Sequence, residues 1–256
     1  MKIFSIASGS SGNSYYYESG SVRLLFDAGV SFKYLREKLL FNNVLPHNID
    51  ALFVSHDHSD HASAIGVYQR MIGMPIFITP KTYHEVEHYI GCVKNILHFN
   101  SGDVVDIKHV KITTIRTPHD GVDPSIFIID DREYRVGIFT DLGHTFNDLK
   151  RIVSDLDIIF LESNYDEELL RENSNYPEFL KRRITGKHGH ISNMESAHLV
   201  KKYTTDRLKY LILSHLSESN NTENITLNTH LKVYGEKIKF KLLTAPRLSS
   251  SEVIVL

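Results

Sequence analysis

Residues 55–66 read SHDHSDHASAIG and place three histidines and two aspartates within six consecutive positions. The apolar run 51–54 comes directly before them. Its β-branched and aromatic side chains, with no polar alternation, predict a short buried strand, and the pattern of residues 61–72 predicts a helix. The ionisable groups therefore leave the end of a buried strand, which is where open α/β sheets place their functional sites.

Metal binding explains the crowding of these ionisable groups better than a solvated loop, which is the alternative interpretation. Burying an unpaired charge costs several kcal/mol, whereas neutral imidazoles and carboxylates are natural ligands of divalent zinc, manganese or iron. His56 and His58 are two residues apart, so they point the same way in an extended chain. Asp60 and His61 lie beyond a turn and can aim at a second point. We expect two ions, with further ligands from elsewhere in the chain.

The composition limits the classes of function. The chain has 256 residues, of which 41% are hydrophobic and 23% charged, as in an ordinary globular protein. A formal net charge of −2 gives no global basic field, so nucleic-acid binding would need a local patch. The single cysteine, Cys92, excludes an intramolecular disulfide and a thiolate metal cage. With no signal peptide and no bilayer-length apolar run, we expect a cytoplasmic protein that makes no membrane contact.

Short apolar strands alternate with helical stretches from end to end, without a repeat or a composition break. Strands are predicted at 2–8, 14–18, 22–27, 51–55, 75–79, 103–107, 110–117, 124–130, 133–140, 157–162, 210–214, 239–244 and 253–256. Helices are predicted at 31–41, 61–72 and 82–90. The run of strands between 103 and 140 argues against a purely parallel sheet. We therefore predict one α/β domain over 1–256, with two mixed β-sheets flanked by helices.

The segment His56-x-His58-x-Asp60-His61 after an apolar strand resembles the signature of the metallo-β-lactamase superfamily. Three more candidate ligands stand at predicted strand ends, in the order that the superfamily uses: His119, Asp141 and His215. The resemblance implies an αββα sandwich with the site at one edge of its two sheets.

The resemblance also implies a division of the seven ligands between two ions. His56, His58 and His119 would hold one ion, and Asp60, His61 and His215 the other. Asp141 would bridge them together with a shared water, which two-metal sites activate as a hydroxide. Zinc or manganese suits this set, and iron also fits.

Spacing separates the members of the superfamily. The only cysteine lies outside every motif, which argues against a true β-lactamase, and no segment is long enough for a β-CASP insertion or a tRNA-processing arm. The segments 7–13 (ASGSSGN), 161–166 (LESNYD), 189–193 (GHISN) and 215–221 (HLSESNN) resemble the YycJ/WalJ family of bacterial metallo-β-lactamase-fold proteins. Tyr165 stands where that family usually has a histidine. The resemblance implies a phosphodiesterase on nucleic acid, more specifically a 5′-to-3′ exonuclease on DNA rather than RNA.

Phosphodiester hydrolysis also needs an acid for the leaving oxygen. His190 is the candidate acid, with a structural role as the alternative, and Glu162 is a candidate to orient it. The pattern 192–195 predicts a capping box that starts a helix just after His190. Together with Asp60, these two residues are the predicted catalytic groups.

Cations and backbone groups must also hold the phosphate. Lys181, Arg182 and Arg183 are the candidate cations, and a solvated helix face is the alternative for each. Ser10 and Asn13 belong to a glycine-serine loop whose backbone N–H groups suit a phosphate, although an ordinary hairpin turn explains the same loop.

Two rival functions use the same residues. One is a small-molecule hydrolase that cleaves a phosphoester or thioester at the same dinuclear site. The other is a metal-binding scaffold without catalysis, against which the filled ligand set argues. The sequence alone sets no oligomeric state.

Overall fold

The predicted alternation of strands and helices is present in the computed structural model, which describes residues 1–235 and 238–256. The strands in these residues are β1 Lys2–Ala7, β2 Ser14–Ser19, β3 Val22–Phe26, β4 Ala51–Phe53, β5 Ile76–Ile78, β6 Ile96–His98, β7 Val104–Ile107, β8 Val110–Arg116, β9 Ser125–Asp130, β10 Arg135–Phe139, β11 Ile158–Glu162, β12 Tyr210–Ser214, β13 Lys241–Thr244 and β14 Ile254–Val255. The helices are α1 Phe32–Phe41, α2 Ser59–Ala62, α3 Ile65–Ile72, α4 Pro80–Ile90, α5 Asn147–Ile152, α6 Glu167–Glu172, α7 Glu178–Ile184, α8 Asn193–Tyr203 and α9 Glu223–Tyr234, with 3-10 turns at Pro46–Asn48 and Val153–Asp155. Every helix in this part of the chain is too short or too polar to cross a lipid bilayer.

The strands form two seven-stranded sheets, and both are mixed. The first has the order β14-β1-β2-β3-β4-β5-β6, antiparallel from β14 to β3 and parallel from β3 to β6. The second has the order β13-β12-β11-β10-β9-β8-β7, parallel from β13 to β10 and antiparallel between β8 and β7. These sheets, with their flanking helices, confirm the predicted fold class.

The chain divides into two compact units. The first comprises residues 1–116, 121–127 and 246–256, and the second comprises 117–120 and 128–245. In the first unit, apolar side chains from the sheet and from α1, α3 and α4 form a buried cluster. All three tyrosines at 15–17 are buried. The prediction of a single domain stays a prediction.

The helix predicted over 61–72 is wrong in one respect, because two helices, α2 and α3, replace it. In an uninterrupted helix, Ala64 N would donate to the carbonyl of Asp60. Here Ala64 N donates to Ala28 O at 2.8 Å, and Asp60 O accepts from Asn13 N at 2.7 Å. Tertiary hydrogen bonds therefore break the helix directly after Ala62.

Candidate metal centre

In the first unit, four of the predicted ligands lie between residues 56 and 61, shortly after the end of β4. Strand β4 ends at Phe53, and the chain continues extended through His56 before α2 carries Asp60 and His61. The ring centroid of His56 lies 4.7 Å from that of His58 and 4.2 Å from that of His61. His61 Nε2 lies 3.5 Å from Asp60 Oδ2. The rings of His56 and His61 are buried, and the neutral imidazole is the form that binds a metal ion.

Asp27 and Ser55 fix the orientation of two of these imidazoles. His61 Nδ1 donates to Asp27 Oδ2 at 2.7 Å. The Ser55 hydroxyl donates to the same carboxylate at 2.9 Å and accepts from His56 Nδ1 at 2.9 Å. Because both rings carry their proton on Nδ1, their lone pairs are on Nε2. A carboxylate behind the imidazole is the usual support of a metal-binding histidine.

Asn13 of the glycine-serine loop supports the same cluster from its other side. Its Nδ2 lies 2.9 Å from His61 Nε2, 3.2 Å from Asp60 Oδ2 and 3.0 Å from Gly9 O. An ion at His61 Nε2 would leave this amide two other acceptors, so the contact is compatible with metal binding. Asn13 is buried, whereas Ser10 is exposed on the outside of the loop. Their predicted role in holding phosphate stays a prediction.

The second unit presents its candidate ligands where strands end. His119 follows β8, Asp141 follows β10 and His215 follows β12. Asp141 and His215 have φ angles of 57° and 55°. A left-handed backbone is uncommon for residues with a Cβ, and such conformations cluster at functional sites. The sharp turn at each position directs the side chain away from the line of the strand.

Glu162, at the end of β11, is the buried centre of this second cluster. Its Oε1 accepts from His190 Nδ1 at 2.7 Å and from His215 Nδ1 at 3.1 Å. Its Oε2 accepts from Leu142 N at 2.9 Å. Burial by itself would raise the pKa of Glu162, but the charge of His190 and the hydrogen bonds from both imidazoles lower it to about 2. The carboxylate therefore stays ionised and holds both rings.

His119 and His190 differ in exposure. His119 is buried and donates from Nδ1 to Gly189 O at 2.9 Å. Burial lowers the pKa of His119 more than the neighbouring carboxylate of Asp141 raises it, which favours the neutral ring. The side chain of His190 is 21% exposed, against 2% for His215. His190 is thus the imidazole of this cluster that a substrate can reach.

The donor chemistry fits divalent cations. In the second unit, ligand atoms of Asp141, Glu162, His190 and His215 all lie within 4.8 Å of one another. In the first unit, three imidazoles and a carboxylate are grouped, with two rings fixed through Nδ1. Oxygen and imidazole donors in this combination suit zinc, manganese and iron.

The predicted phosphate-binding cations on α7 differ in their hydrogen-bond partners. Lys181 Nζ donates to Arg171 O at 2.7 Å and lies 3.4 Å from Glu178 Oε1. Arg183 Nε donates to Asp120 Oδ2 at 2.6 Å, next to His119 in the chain. Arg182 is exposed. The three residues therefore do not form one anion site, and their role in binding substrate stays a prediction.

Residues 22–215 match the beta-lactamase superfamily domain. The chain belongs to this superfamily. Within it, the chain is 36% identical over 233 residues to exodeoxyribonuclease WalJ of Streptococcus pneumoniae, covering 88% of this chain and 85% of that protein. It is 30% identical over 234 residues to exodeoxyribonuclease YycJ of Bacillus anthracis, covering 91% and 88%. These relatives confirm the family resemblance.

Two solved structures share the fold of this chain. The metallo-β-lactamase fold protein YhfI of Bacillus subtilis superposes with a TM-score of 0.75 at 19% identity, covering 99% of this chain and 98% of that one. Zinc-bound PqqB of Methylobacterium extorquens superposes with a TM-score of 0.73 at 13% identity, over all of both chains.

Sequence reasoning missed three residues that support the candidate ligands of this superfamily member. Asp27 and Ser55 hold imidazoles in the first unit, and Asn164 Nδ2 donates to His215 O at 2.9 Å in the second. Asp27 ends a predicted strand in the same way as Asp141, and this position is the signal that would have found it. Ser55 and Asn164 lie beside candidate residues in the chain. The sequence pattern does not distinguish a residue that hydrogen-bonds to a candidate ligand from a neighbour that does not.

Proposed function

We propose that this protein is a metal-dependent phosphodiesterase that acts as a 5′-to-3′ exonuclease on DNA. The observation that carries the hydrolase chemistry is His190, which is partly exposed and fixed by the buried Glu162 beside Asp141 and His215. The choice of substrate is supported by the relatives named exodeoxyribonucleases. The proposed 5′-to-3′ direction of cleavage rests on the family resemblance.

The proposed ligands are the seven residues implied by that resemblance: His56, His58, His119, Asp141, Asp60, His61 and His215. The first three and the last three would each serve one ion, with Asp141 shared. When bound, two such ions orient the phosphodiester, stabilise its developing negative charge and lower the pKa of a water molecule. Elemental analysis of protein purified without chelator should then find about two equivalents of transition metal per chain. Full activity with one equivalent would contradict the dinuclear proposal.

The protein's own residues supply the proton and the geometry. His190 stands beside the candidate ligands with Nδ1 bound to Glu162, so Nε2 is the atom that exchanges a proton with the leaving oxygen. Because Glu162 is ionised and holds both His190 and His215, it fixes the acid relative to a metal ligand. Positioning of this kind lowers the barrier without any change in the ligands themselves.

A panel of labelled DNA substrates tests the proposed function. The protein, loaded with zinc or with manganese, is given linear DNA with a 5′-phosphate, the same DNA with a blocked 5′ end, and a single-stranded circle. We expect stepwise degradation of the first substrate and survival of the circle. His119→Ala should abolish the activity, and His88→Ala, on an exposed face of α4, is the matched control against a contaminating nuclease.

Three outcomes would change the proposal. Rapid cutting of the circle would show an endonuclease, and degradation of the 5′-blocked strand as fast as the 5′-phosphorylated strand, with the circle intact, would reverse the direction. Turnover of small esters without cleavage of DNA would support a small-molecule hydrolase. Binding of a nucleic acid should weaken steeply as salt rises, because phosphate contacts release counterions, whereas turnover of a small ester should be nearly indifferent to salt.

A further inference from the structure

A cavity of about 340 Å³ opens in the second unit, away from the candidate ligands named above. Tyr165 and Leu170 contribute an aromatic ring and an aliphatic side chain to its lining. Lys181, Arg182 and Thr185, from α7 and its C-cap, contribute two cations and a hydroxyl. The volume lies at the lower end of the range of about 300–1,000 Å³ that holds small ligands.

Tyr165 is fixed in this lining by its backbone. It forms a parallel bridge with Ser192, and its carbonyl accepts from Asn193 N at 2.9 Å. The residue is only 5% exposed, and its side chain lines the cavity. A tyrosine presents an apolar ring with a polar hydroxyl at its tip. A flat, partly polar group inside the cavity would therefore be able to contact both parts of this side chain.

Three cations line this cavity, and two of them are paired: the Arg171 guanidinium lies 3.2 Å from Glu168 Oε1. The ammonium of Lys181 is held by the carbonyl of Arg171 and the carboxylate of Glu178. The guanidinium of Arg182, by contrast, forms no hydrogen bond or ion pair with the described part of the chain. A guanidinium binds a phosphate through two parallel N–H groups and also stacks on flat rings.

The cavity is close in the chain to the proposed catalytic groups. Tyr165 follows Glu162 by three residues, and the segment 191–193 that pairs with 164–165 comes directly after His190. Arg182 is adjacent to Arg183, which binds Asp120 beside His119. A nucleotide held in the cavity would therefore lie in the same unit as His190, the proposed acid. It would contact residues that are close in the chain to Glu162 and to this acid.

We propose that this cavity binds one nucleotide of the substrate strand. The base would lie against Tyr165 and Leu170, with the tyrosine hydroxyl bonded to a polar edge of the base, and the phosphate would meet Arg182. The carboxylates of Glu167 and Glu178 also line the cavity, so inorganic phosphate, which has no base to contact Tyr165 and Leu170, fits less well than a nucleotide. The identity of this occupant rests on the proposed nuclease function.

Calorimetric titration of the metal-loaded protein with deoxyadenosine monophosphate tests the subsite directly. Arg182→Ala should weaken binding about tenfold or more, because a charge-assisted hydrogen bond is lost. Tyr165→Phe, which retains the ring, should weaken it about threefold to tenfold. Lys232→Ala, an exposed lysine on α9, is the control and should leave the Kd unchanged. Equal affinity in all four proteins, or inorganic phosphate binding as tightly as the nucleotide, would overturn the proposal.

Kinetics separate this subsite from the proposed function. On DNA, the Arg182 and Tyr165 variants should raise KM with little change in kcat, while the Lys232 control keeps both values and its hydrolysis of a small nitrophenyl phosphodiester stays unchanged. If the wild type cleaves DNA and both variants retain its KM, the subsite is wrong and the nuclease stands. If the wild type cleaves no DNA, the nuclease is wrong, and the nucleotide titration still decides whether the cavity is a nucleotide site.

Discussion

Five imidazoles among the candidate site residues place Nδ1 within hydrogen-bond distance of an oxygen. The acceptors are carboxylates for His61, His190 and His215, a serine hydroxyl for His56 and a backbone carbonyl for His119. An imidazole bound in this way has its tautomer and ring plane fixed before any ligand arrives. What distinguishes His190 among the five is its exposure, not its chemistry.

This difference gives a prediction for His190. If its Nε2 protonates the leaving oxygen, His190→Ala should lower kcat on DNA by roughly 10²–10⁴. Metal content should not change, and the loss should shrink on a nitrophenyl ester, whose leaving group needs no proton. His188→Ala, two positions earlier and exposed, is the control. Equal losses on both substrates would assign His190 to the structure of the site or to an ion.

His230 gives a prediction for stability against pH. The ring is buried between Ser163 Oγ at 3.2 Å and Tyr234 OH at 2.7 Å, and burial lowers its pKa to about 3. The unfolded chain binds the proton near pH 6.5, so between pH 6.5 and 3 only the unfolded state is protonated. Stability is therefore full above pH 6.5 and falls by up to about 1.4 kcal/mol per pH unit below it.

Urea unfolding of the wild type and of His230→Gln measures this effect. Glutamine keeps hydrogen-bonding groups but does not titrate. We expect the variant to be less stable at pH 8 and its deficit to shrink as the pH falls from 6.5 to 4. A deficit that is constant over this range would show that His230 does not enter the folded state as a neutral ring.

At the scale of elements, the strands and their ends were the predictable part. Apolar runs such as 51–54 and 158–161 predict buried strands, because a strand with both of its faces buried has apolar side chains at every position. The capping box at Ser192 and Glu195 was confirmed, since it depends only on neighbours in the chain. The short strand β6 was missed because two of its three side chains are exposed and give no pattern.

The break after α2 was not predictable, since it depends on residues distant in sequence. Gly29 explains how the backbone segments of Asp60 and Asn13 can lie so close to the chain after β3. A Cβ on this residue would lie 1.7 Å from Asp60 O and 2.7 Å from Asn13 N. Only the absence of a side chain allows the strand end after β3, the glycine-serine loop and α2 to meet there.

Gly29→Ala should therefore destabilise the protein by about 3 kcal/mol, at the upper end of the usual cost of overpacking, and weaken metal binding because Asp60 must move. Gly73→Ala is the comparison, because its Cβ meets nothing within 4 Å and only its left-handed φ of 87° opposes the change. That variant should lose about 1 kcal/mol and keep its metal affinity. Thermal unfolding and metal titration of both proteins measure the two effects. Equal losses would remove the steric explanation.

At the scale of the whole molecule, the sequence predicted two mixed sheets because strands with helical connections and a run of antiparallel strands occur in one chain. It predicted candidate ligands at the ends of β8, β10 and β12, where polar residues follow apolar runs. It did not predict that Glu162 contacts two imidazoles, since hydrogen bonds between side chains depend on geometry that spacing does not encode. It also gave no sign of the cavity beside Tyr165, which side chains from separate helices create.

The grouping of His56, His58, Asp60 and His61 within six positions has a consequence for refolding. Such a compact set does not need the folded chain to chelate zinc, so the denatured ensemble also binds the ion, which reduces the stabilisation that the metal gives. Zinc present from the start should hold this segment in a kinetic trap, because a single ion chelated by all four side chains must release Asp60 and His61 before these two can serve the second proposed ion. Dilution from urea should then recover activity more slowly with zinc present than with zinc added afterwards. His58→Ala, which weakens the local chelate, should narrow the difference in rate, and equal rates in the wild type would show that the denatured chain does not retain the ion.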